Sequence, residues 1–239
     1  MILSRHNSIQ INSQGSQIFV PRTAEVVVAP SWYLVSGKTC ETAYQFKGAA
    51  SQSASYVNLT GNSAFNGTTD AAPTWDTGIG LTCNGTTQYL NTNCIPAAAQ
   101  SWSWGIAFNT STVDGNYRQI CGNWDTSVNA LASCSPCFSS SWRLYRYHNY
   151  SVVAPAISSG VMFVAGTQGY LNGSPDGDPL TAGSATLGKF YIGAANINIG
   201  YAGDSPGNFT ACNVTAFAMY SAILSGAEVA TVSAAMALL

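Results

Sequence analysis

Between Ser101 and Phe108 the chain alternates strictly. Trp102, Trp104, Ile106 and Phe108 take every second place, with Ser103, Gly105 and Ala107 between them. A period of two puts the bulky set on one face of a β-strand and the small set on the other. The strand is therefore predicted to fill an inter-sheet core on one side and to sit beneath a loop or second layer on the other. A sugar-stacking aromatic platform is the functional alternative for the same four side chains. A second pattern runs from Val161 to Gly173. An apolar, β-branched run leads to Asn172-Gly173, a pair suited to a type I′ turn because both residues tolerate positive φ.

The same dipeptide at Asn84-Gly85, between Gly80–Cys83 and Thr87–Leu90, predicts another hairpin. Tyr44–Ala50, Ser55–Leu59, Tyr117–Gly122, Lys189–Gly193 and Ala211–Tyr220 read as further strands, with a polar loop over 60–72 and a cysteine-bearing loop reaching Ser141. In Trp142–His148, alternation separates Trp142, Leu144, Arg146 and His148 from Arg143, Tyr145 and Tyr147. The second set offers flat rings with hydrogen-bonding tips beside a guanidinium, a surface for a sugar ring or a protein partner. The alternative is an ordinary solvated sheet face. Ser225 and Glu228 form a capping box ahead of Val229, Val232 and Met236, predicting one terminal helix of about three turns.

Residues 1–35 differ from the rest. Ser8–Asn12 alternates like an edge strand, Gln17–Val20 is a second short candidate stopped by Pro21, and Glu25–Pro30 is an apolar run closed by proline. This part reads as an arm, paired either with the domain's own sheet or with a neighbour by strand addition. Residues 36–239 then form one all-β domain: a sandwich of two antiparallel sheets with a short C-terminal helix.

Composition narrows the partners. Only 8% of the residues are charged and the formal net charge is −2, against about 25% charged residues in an average globular protein. Nothing supports nucleic-acid binding, and no apolar run of membrane-spanning length occurs. Met1–Asn7 lacks the apolar stretch of a signal peptide, so export by lysis or inside an assembled particle is expected. Eight Asn-x-Ser/Thr sequons, among them Asn58, Asn84, Asn172 and Asn213, read as turn chemistry.

The cysteine count is seven, so at least one thiol is free or pairs with another chain. Cys134-Ser-Pro-Cys137 has zinc-knuckle spacing without a second pair or a nearby histidine, which leaves a tetrahedral site incomplete. Cys40, Cys94, Cys134, Cys137 and Cys212 are the candidates for disulfides formed in an oxidising medium, while Cys83 and Cys121, inside strand patterns, read as buried thiols. Asp176 and Asp178 are candidate calcium ligands, being hard carboxylate donors. Catalysis finds little material. The three glutamates are Glu25, Glu41 and Glu228, and the two histidines are His6 and His148. No strand carries the alternating carboxylates that glycoside hydrolysis needs.

The succession Gly80-Leu81-Thr82-Cys83-Asn84-Gly85-Thr86-Thr87-Gln88-Tyr89-Leu90, Trp102-Ser-Trp104 and Tyr170-Leu171-Asn172-Gly173 resembles the laminin-G-like, concanavalin A-like lectin/glucanase fold. So does the ending Phe190-Tyr191-Ile192-Gly193, Ala216–Tyr220 and Leu224-Ser225-Gly-Ala227-Glu228-Val229. The likeness covers residues 75–239. Tyr44–Leu59 and Asn172–Gly177 resemble laminin-G-like proteins of tailed bacteriophages and prophages. The resemblance implies a jelly roll of two curved sheets, a fold that hosts lectins, glycosidases, adhesion modules and virion proteins. It points to a non-enzymatic virion structural protein, such as a capsid decoration protein on the particle surface. Its partners would be other virion proteins and copies of itself. The alternative is a carbohydrate-binding adhesin or receptor-binding module that meets a host surface glycan.

Overall fold

The computed structural model describes residues 8–11, 17–20, 31–96, 101–109, 111, 116–125, 130–138, 142–147, 149–180, 188–198 and 204–239. In chain order the elements are β1 (Ser8–Ile11), β2 (Gln17–Val20), β3 (Cys40–Gln45), α1 (Gln52–Ser55), β4 (Thr74–Asp76), β5 (Gly80–Asn84) and β6 (Leu90–Asn91). Then come β7 (Ser103–Asn109), β8 (Cys121–Asp125), β9 (Ala130–Phe138), β10 (Trp142–Tyr147), β11 (Asn149–Val153), β12 (Gly160–Ala165) and β13 (Gln168–Leu171). β14 (Ser174–Pro175), β15 (Tyr191–Ile192), β16 (Ala195–Asn198), β17 (Pro206–Gly207), β18 (Ala211–Tyr220) and α2 (Gly226–Ala237) complete the chain. It divides into two units, Met1–Ser31 and Trp32–Leu239.

The larger unit is a two-sheet β-sandwich. The first sheet runs β14-β13-β12-β7-β18-β5-β4, with β3 also on β18, and the second runs β11-β10-β9-β8-β15-β6, with β16 and β17 continuing beside β8. All described pairings are antiparallel except β16 with β8. β18 is the spine of the first sheet: one edge pairs with β7 and the other with β5 and then β3.

The alternation around residue 105 decides how the layers stack. Trp102, Trp104, Ile106 and Phe108 are buried in the core between the sheets, together with Tyr44, Phe46, Leu81, Phe190, Ile192 and Phe217. The four side chains are thus core and no exposed stacking platform. Fully burying one such side chain contributes about 1.5–3 kcal/mol. On the opposite face Ala107, Phe163, Ala216, Ala218 and Tyr220 pack with Val229, Val232 and Met236 of α2, so the helix roofs the first sheet. Gly105 is required there because a Cβ would overlap the ring of Phe163. The capping box forms as expected, with Ser225 Oγ accepting from the Glu228 amide and Glu228 accepting from the Ser225 amide.

Asn172-Gly173 makes the expected turn, with φ of 50° and 83°, and Asn172 Oδ1 also accepts from the Val161 amide at 2.9 Å. Asn84-Gly85 does not make a hairpin. β5 pairs with β4 and β18 in the first sheet, whereas Leu90 and Asn91 pair with β15 in the second. The segment is the crossing between sheets, and Asn84 Oδ1 holds it by accepting from the amides of Thr86, Thr87 and Gln88. Ser55–Leu59 is no strand either, since the short helix α1 ends at Ser55. The expected cysteine-bearing loop is largely the antiparallel pair β8–β9.

The smaller unit contains β1 and β2, paired antiparallel with Ile9 opposite Phe19 and Ile11 opposite Gln17. Glu25–Pro30 lies outside the described residues.

Candidate functional site

Arg143 and Tyr145 share a face, as alternation predicts, but that face points into the protein. Arg143 on β10 donates from Nε and Nη2 to the two carboxylate oxygens of Asp176, at 2.6 and 2.5 Å, and from Nη1 to the Pro155 carbonyl at 2.6 Å. The Tyr145 hydroxyl donates to Asp176 Oδ2 at 2.7 Å and lies 2.9 Å from the Tyr170 carbonyl oxygen. Tyr145 has no exposed surface and Arg143 only 5%. Asp176 follows β14 in the first sheet while Arg143 and Tyr145 belong to the second, so the cluster clamps one sheet to the other. The two residues are therefore not an open binding platform. The side chain of Tyr147, like His148, lies outside the described residues.

The electrostatics fit a clamp. Burial alone raises the Asp176 pKa, but hydrogen bonds from Arg143 and Tyr145 and the guanidinium charge outweigh it and hold the carboxyl below its ordinary value. The hydrogen bond to Asp176 raises the Arg143 pKa. Burial, then Asp176, raises the Tyr145 phenol. A calcium ion needs free carboxylate oxygens, and both oxygens of Asp176 are taken by a cation and a hydroxyl. Asp178 is exposed, and no group of three or more His, Cys, Asp or Glu among the described residues is arranged to hold a metal. The donor set at Asp176 and Asp178 does not fit calcium.

A second polar cluster lies on the outer face of the second sheet. Leu90 and Ile192 point into the core, and their chain neighbours Tyr89 and Tyr191 form a separate cluster with Ala194 and Phe209. The two tyrosine rings stack with centroids 4.7 Å apart, and Phe209 lies 6.4 Å from Tyr89. The Tyr89 hydroxyl donates to Asp70 Oδ2 at 2.9 Å. Its pKa is pushed up to about 12 by burial and by Asp70. Burial and the Asp204 carboxylate raise Tyr191. Asp204 accepts from Asn196 Nδ2 at 2.7 Å and pairs with Lys189 at 2.9 Å.

On β9, Ala132 and Cys134 face the core, which turns Ser133 outward. Ser133 Oγ accepts from Gln119 Nε2 at 2.8 Å, and Gln119 Oε1 accepts from Asn208 Nδ2 at 3.0 Å. Amides, hydroxyls, two carboxylates and three rings are thus gathered here. Tyr89, Tyr191, Gln119 and Ser133 are buried, so the groups that reach solvent are the half-buried Phe209 and Asn208 and the exposed Asp70 and Asp204. Of these only Asp204, a carboxylate in the Gly/Pro loop 200–207 and so a further calcium candidate, stands out in the sequence. The available signal was parity: in Tyr89-Leu90 and Tyr191-Ile192 the tyrosine takes the place opposite the core residue.

The seven cysteines are all thiols. Cys134 and Cys137 lie on β9, and Cys94, Cys134 and Cys137 are buried, so they are not the accessible loop thiols expected; Cys212, within the predicted strand, is buried too. Cys40 is half-buried and opposes Tyr220. Burial pushes both Cys40 and Cys94 up to about 12. The zinc-type spacing Cys134–Cys137 is simply a stretch of strand.

No family model matches the chain, and no curated protein does. Several solved structures share its fold. A mutant of HCR/D aligns with TM-score 0.52 at 12% identity, covering 82% of this chain and 51% of that one. Trypanosoma rangeli sialidase, in complex with 2,3-difluorosialic acid, aligns with TM-score 0.49 at 16% identity over 83% of this chain. This chain spans only 33% of that sialidase. Domain 4 of AbnA, a GH43 extracellular arabinanase from Geobacillus stearothermophilus, in complex with arabinotriose, aligns with TM-score 0.46 at 13% identity, covering 82% of this chain and 98% of that domain. At these identities the likeness is one of fold: a two-sheet β-sandwich.

Proposed function

We propose that the protein is a non-enzymatic structural component of a tailed-bacteriophage particle surface, a capsid decoration or similar protein. The sandwich is its rigid body and the N-terminal unit its docking element. The observation that carries this reading is the separateness of that unit. Among the described residues β1 and β2 pair only with each other, as a two-stranded sheet of their own. Two four-residue strands are marginal by themselves in water. Their residues, Ser-Ile-Gln-Ile and Gln-Ile-Phe-Val, carry no charge to discourage edge pairing. Such a ribbon gains most by adding its edge to a neighbouring subunit's sheet.

The carboxylates support the non-enzymatic part. Asp176 is held by Arg143 and Tyr145, Glu228 caps α2, Glu41 accepts from Ser221, and Asp76 accepts from the amides of its own turn. Each does structural duty. The test is particle incorporation. Residues 32–239, the whole of the larger unit, should fold with the far-ultraviolet circular dichroism of the full chain yet fail to co-sediment with particles assembled without the protein. Full co-sedimentation of the truncated chain would overturn the docking role.

One observation favours glycan binding as a second reading: Phe209, Asn208 and Asp204 reach solvent around the buried Tyr89–Tyr191 stack on the outer face of the second sheet. Binding on a glycan array that is lost in Asp204→Ala would establish it. An array without signal would reject it.

A further inference from the structure

We propose that the sandwich carries two latent cross-strand disulfides, Cys83–Cys212 and Cys121–Cys134, each of which staples neighbouring strands inside the core. The register puts Cys83 of β5 directly opposite Cys212 of β18, and Cys121 of β8 directly opposite Cys134 of β9. The first pair lies in one sheet and the second in the other. All four side chains belong to the core cluster between the sheets, so within each pair both thiols leave the same face. Directly opposed antiparallel residues have Cα atoms about 4.5–5.5 Å apart. That separation lies inside the roughly 4.4–6.8 Å window in which a disulfide closes without backbone movement.

Two further observations support the pairing. In each pair the neighbouring thiol, with burial, raises the pKa of its partner, Cys83 that of Cys212 and Cys134 that of Cys121, as expected of adjacent thiols. Gly193, at φ 83°, lies beside Cys83, where any Cβ would collide with the Cys83 sulfur. The other three cysteines have no such partner opposite them. Cys40 opposes Tyr220, Cys137 bridges to Arg118, and the Cys94 sulfur lies 3.7 Å from that of Met219. Four of the seven thiols are therefore placed for intramolecular bonds.

The oxidant is a small-molecule disulfide such as glutathione disulfide. One cysteine thiolate attacks it, breaks its sulfur–sulfur bond, forms a mixed disulfide and releases one glutathione. The opposite thiolate breaks the mixed disulfide, closes the protein bond and releases the second glutathione. The protein pair gives up two electrons and two protons, and the oxidant leaves as two thiols. In the folded protein this is slow, because the sulfurs are buried and burial disfavours the thiolate. Folding in an oxidising medium removes that barrier. The inference rests on strand register and is independent of the particle reading.

The experiment is to refold the full chain from denaturant in a mixture of reduced and oxidised glutathione, block free thiols, and map unreduced peptides by mass spectrometry. The expected result is two linkages, Cys83–Cys212 and Cys121–Cys134, with Cys40, Cys94 and Cys137 blocked as thiols. The oxidised protein should melt at a higher temperature than the same sample after reduction. Cys212→Ala should lose the first linkage and keep the second; if that variant fails to fold, the wild-type map decides alone. Seven blocked thiols, linkages joining other cysteines, or equal melting temperatures for oxidised and reduced protein would overturn the proposal.

Discussion

The two polar clusters are built from similar residue types and behave differently. Between the sheets, Arg143 holds both carboxylate oxygens of Asp176 and the Pro155 carbonyl, and the Tyr145 hydroxyl bonds to Asp176, all within the protein interior. On the outer face of the second sheet, the buried Gln119 and Ser133 are tied by hydrogen bonds to the half-buried Asn208, while Asp70 and Asp204 stand exposed. A buried charge persists only when paired and hydrogen-bonded, so the inner cluster is closed by necessity. In the outer cluster the amides and hydroxyls are neutral, and its two carboxylates, Asp70 and Asp204, keep contact with water. Exposure of the charged groups thus separates the two clusters, where residue type alone does not.

The largest expected effect is at the clamp. Arg143→Ala strands the Asp176 carboxylate and removes a tie between the sheets, and should cost about 3–5 kcal/mol in urea unfolding at neutral pH. A loss below about 1 kcal/mol would place Arg143 with solvated surface pairs and erase the contrast. Replacing both partners, Arg143→Met with Asp176→Leu, should recover most of the loss, because the pair costs desolvation that apolar side chains do not.

Acid provides a subtler probe of the same carboxyl. Its folded pKa lies below the usual value, so the unfolded chain takes up the proton first. The stabilisation is complete above about pH 4 and is lost as pH falls below that. Asp176→Asn should be less stable than the wild type at neutral pH and should flatten the acid limb of a stability–pH curve. An unchanged acid limb would remove Asp176 from the clamp. On the outer face the effect should be smallest. Asn208→Ala removes the donor to the buried Gln119 carbonyl oxygen, while Gln119 keeps Ser133, so about 1–3 kcal/mol is expected in the same unfolding assay. A loss matching that of Arg143→Ala would make the outer cluster structural too.

Much of the sandwich was legible because alternation is a local signal. Trp102 to Phe108 declared both faces of β7, Ser225 and Glu228 declared the start of α2, and Asn172-Gly173 declared its turn. What failed depended on distant partners. Asn84-Gly85 looks like a hairpin, yet Leu81 finds β18 and Leu90 finds β15, and no local pattern encodes that divergence. Alternation set Arg143 beside Tyr145 but could not say which face was inside, because a guanidinium turns inward only where an Asp176 meets it. The cysteines follow the same logic. Cys83 and Cys121 were rightly read as buried thiols, but their opposition to Cys212 and Cys134 is a matter of register between strands far apart in sequence.

The central claim is that the N-terminal unit docks the protein on its neighbours. Electron cryomicroscopy of particles carrying the full chain tests it most directly. The account predicts that β1 or β2 continues a β-sheet of another subunit through main-chain hydrogen bonds. A ribbon packed solely on its own sandwich, with no strand from another chain beside it, would contradict the account.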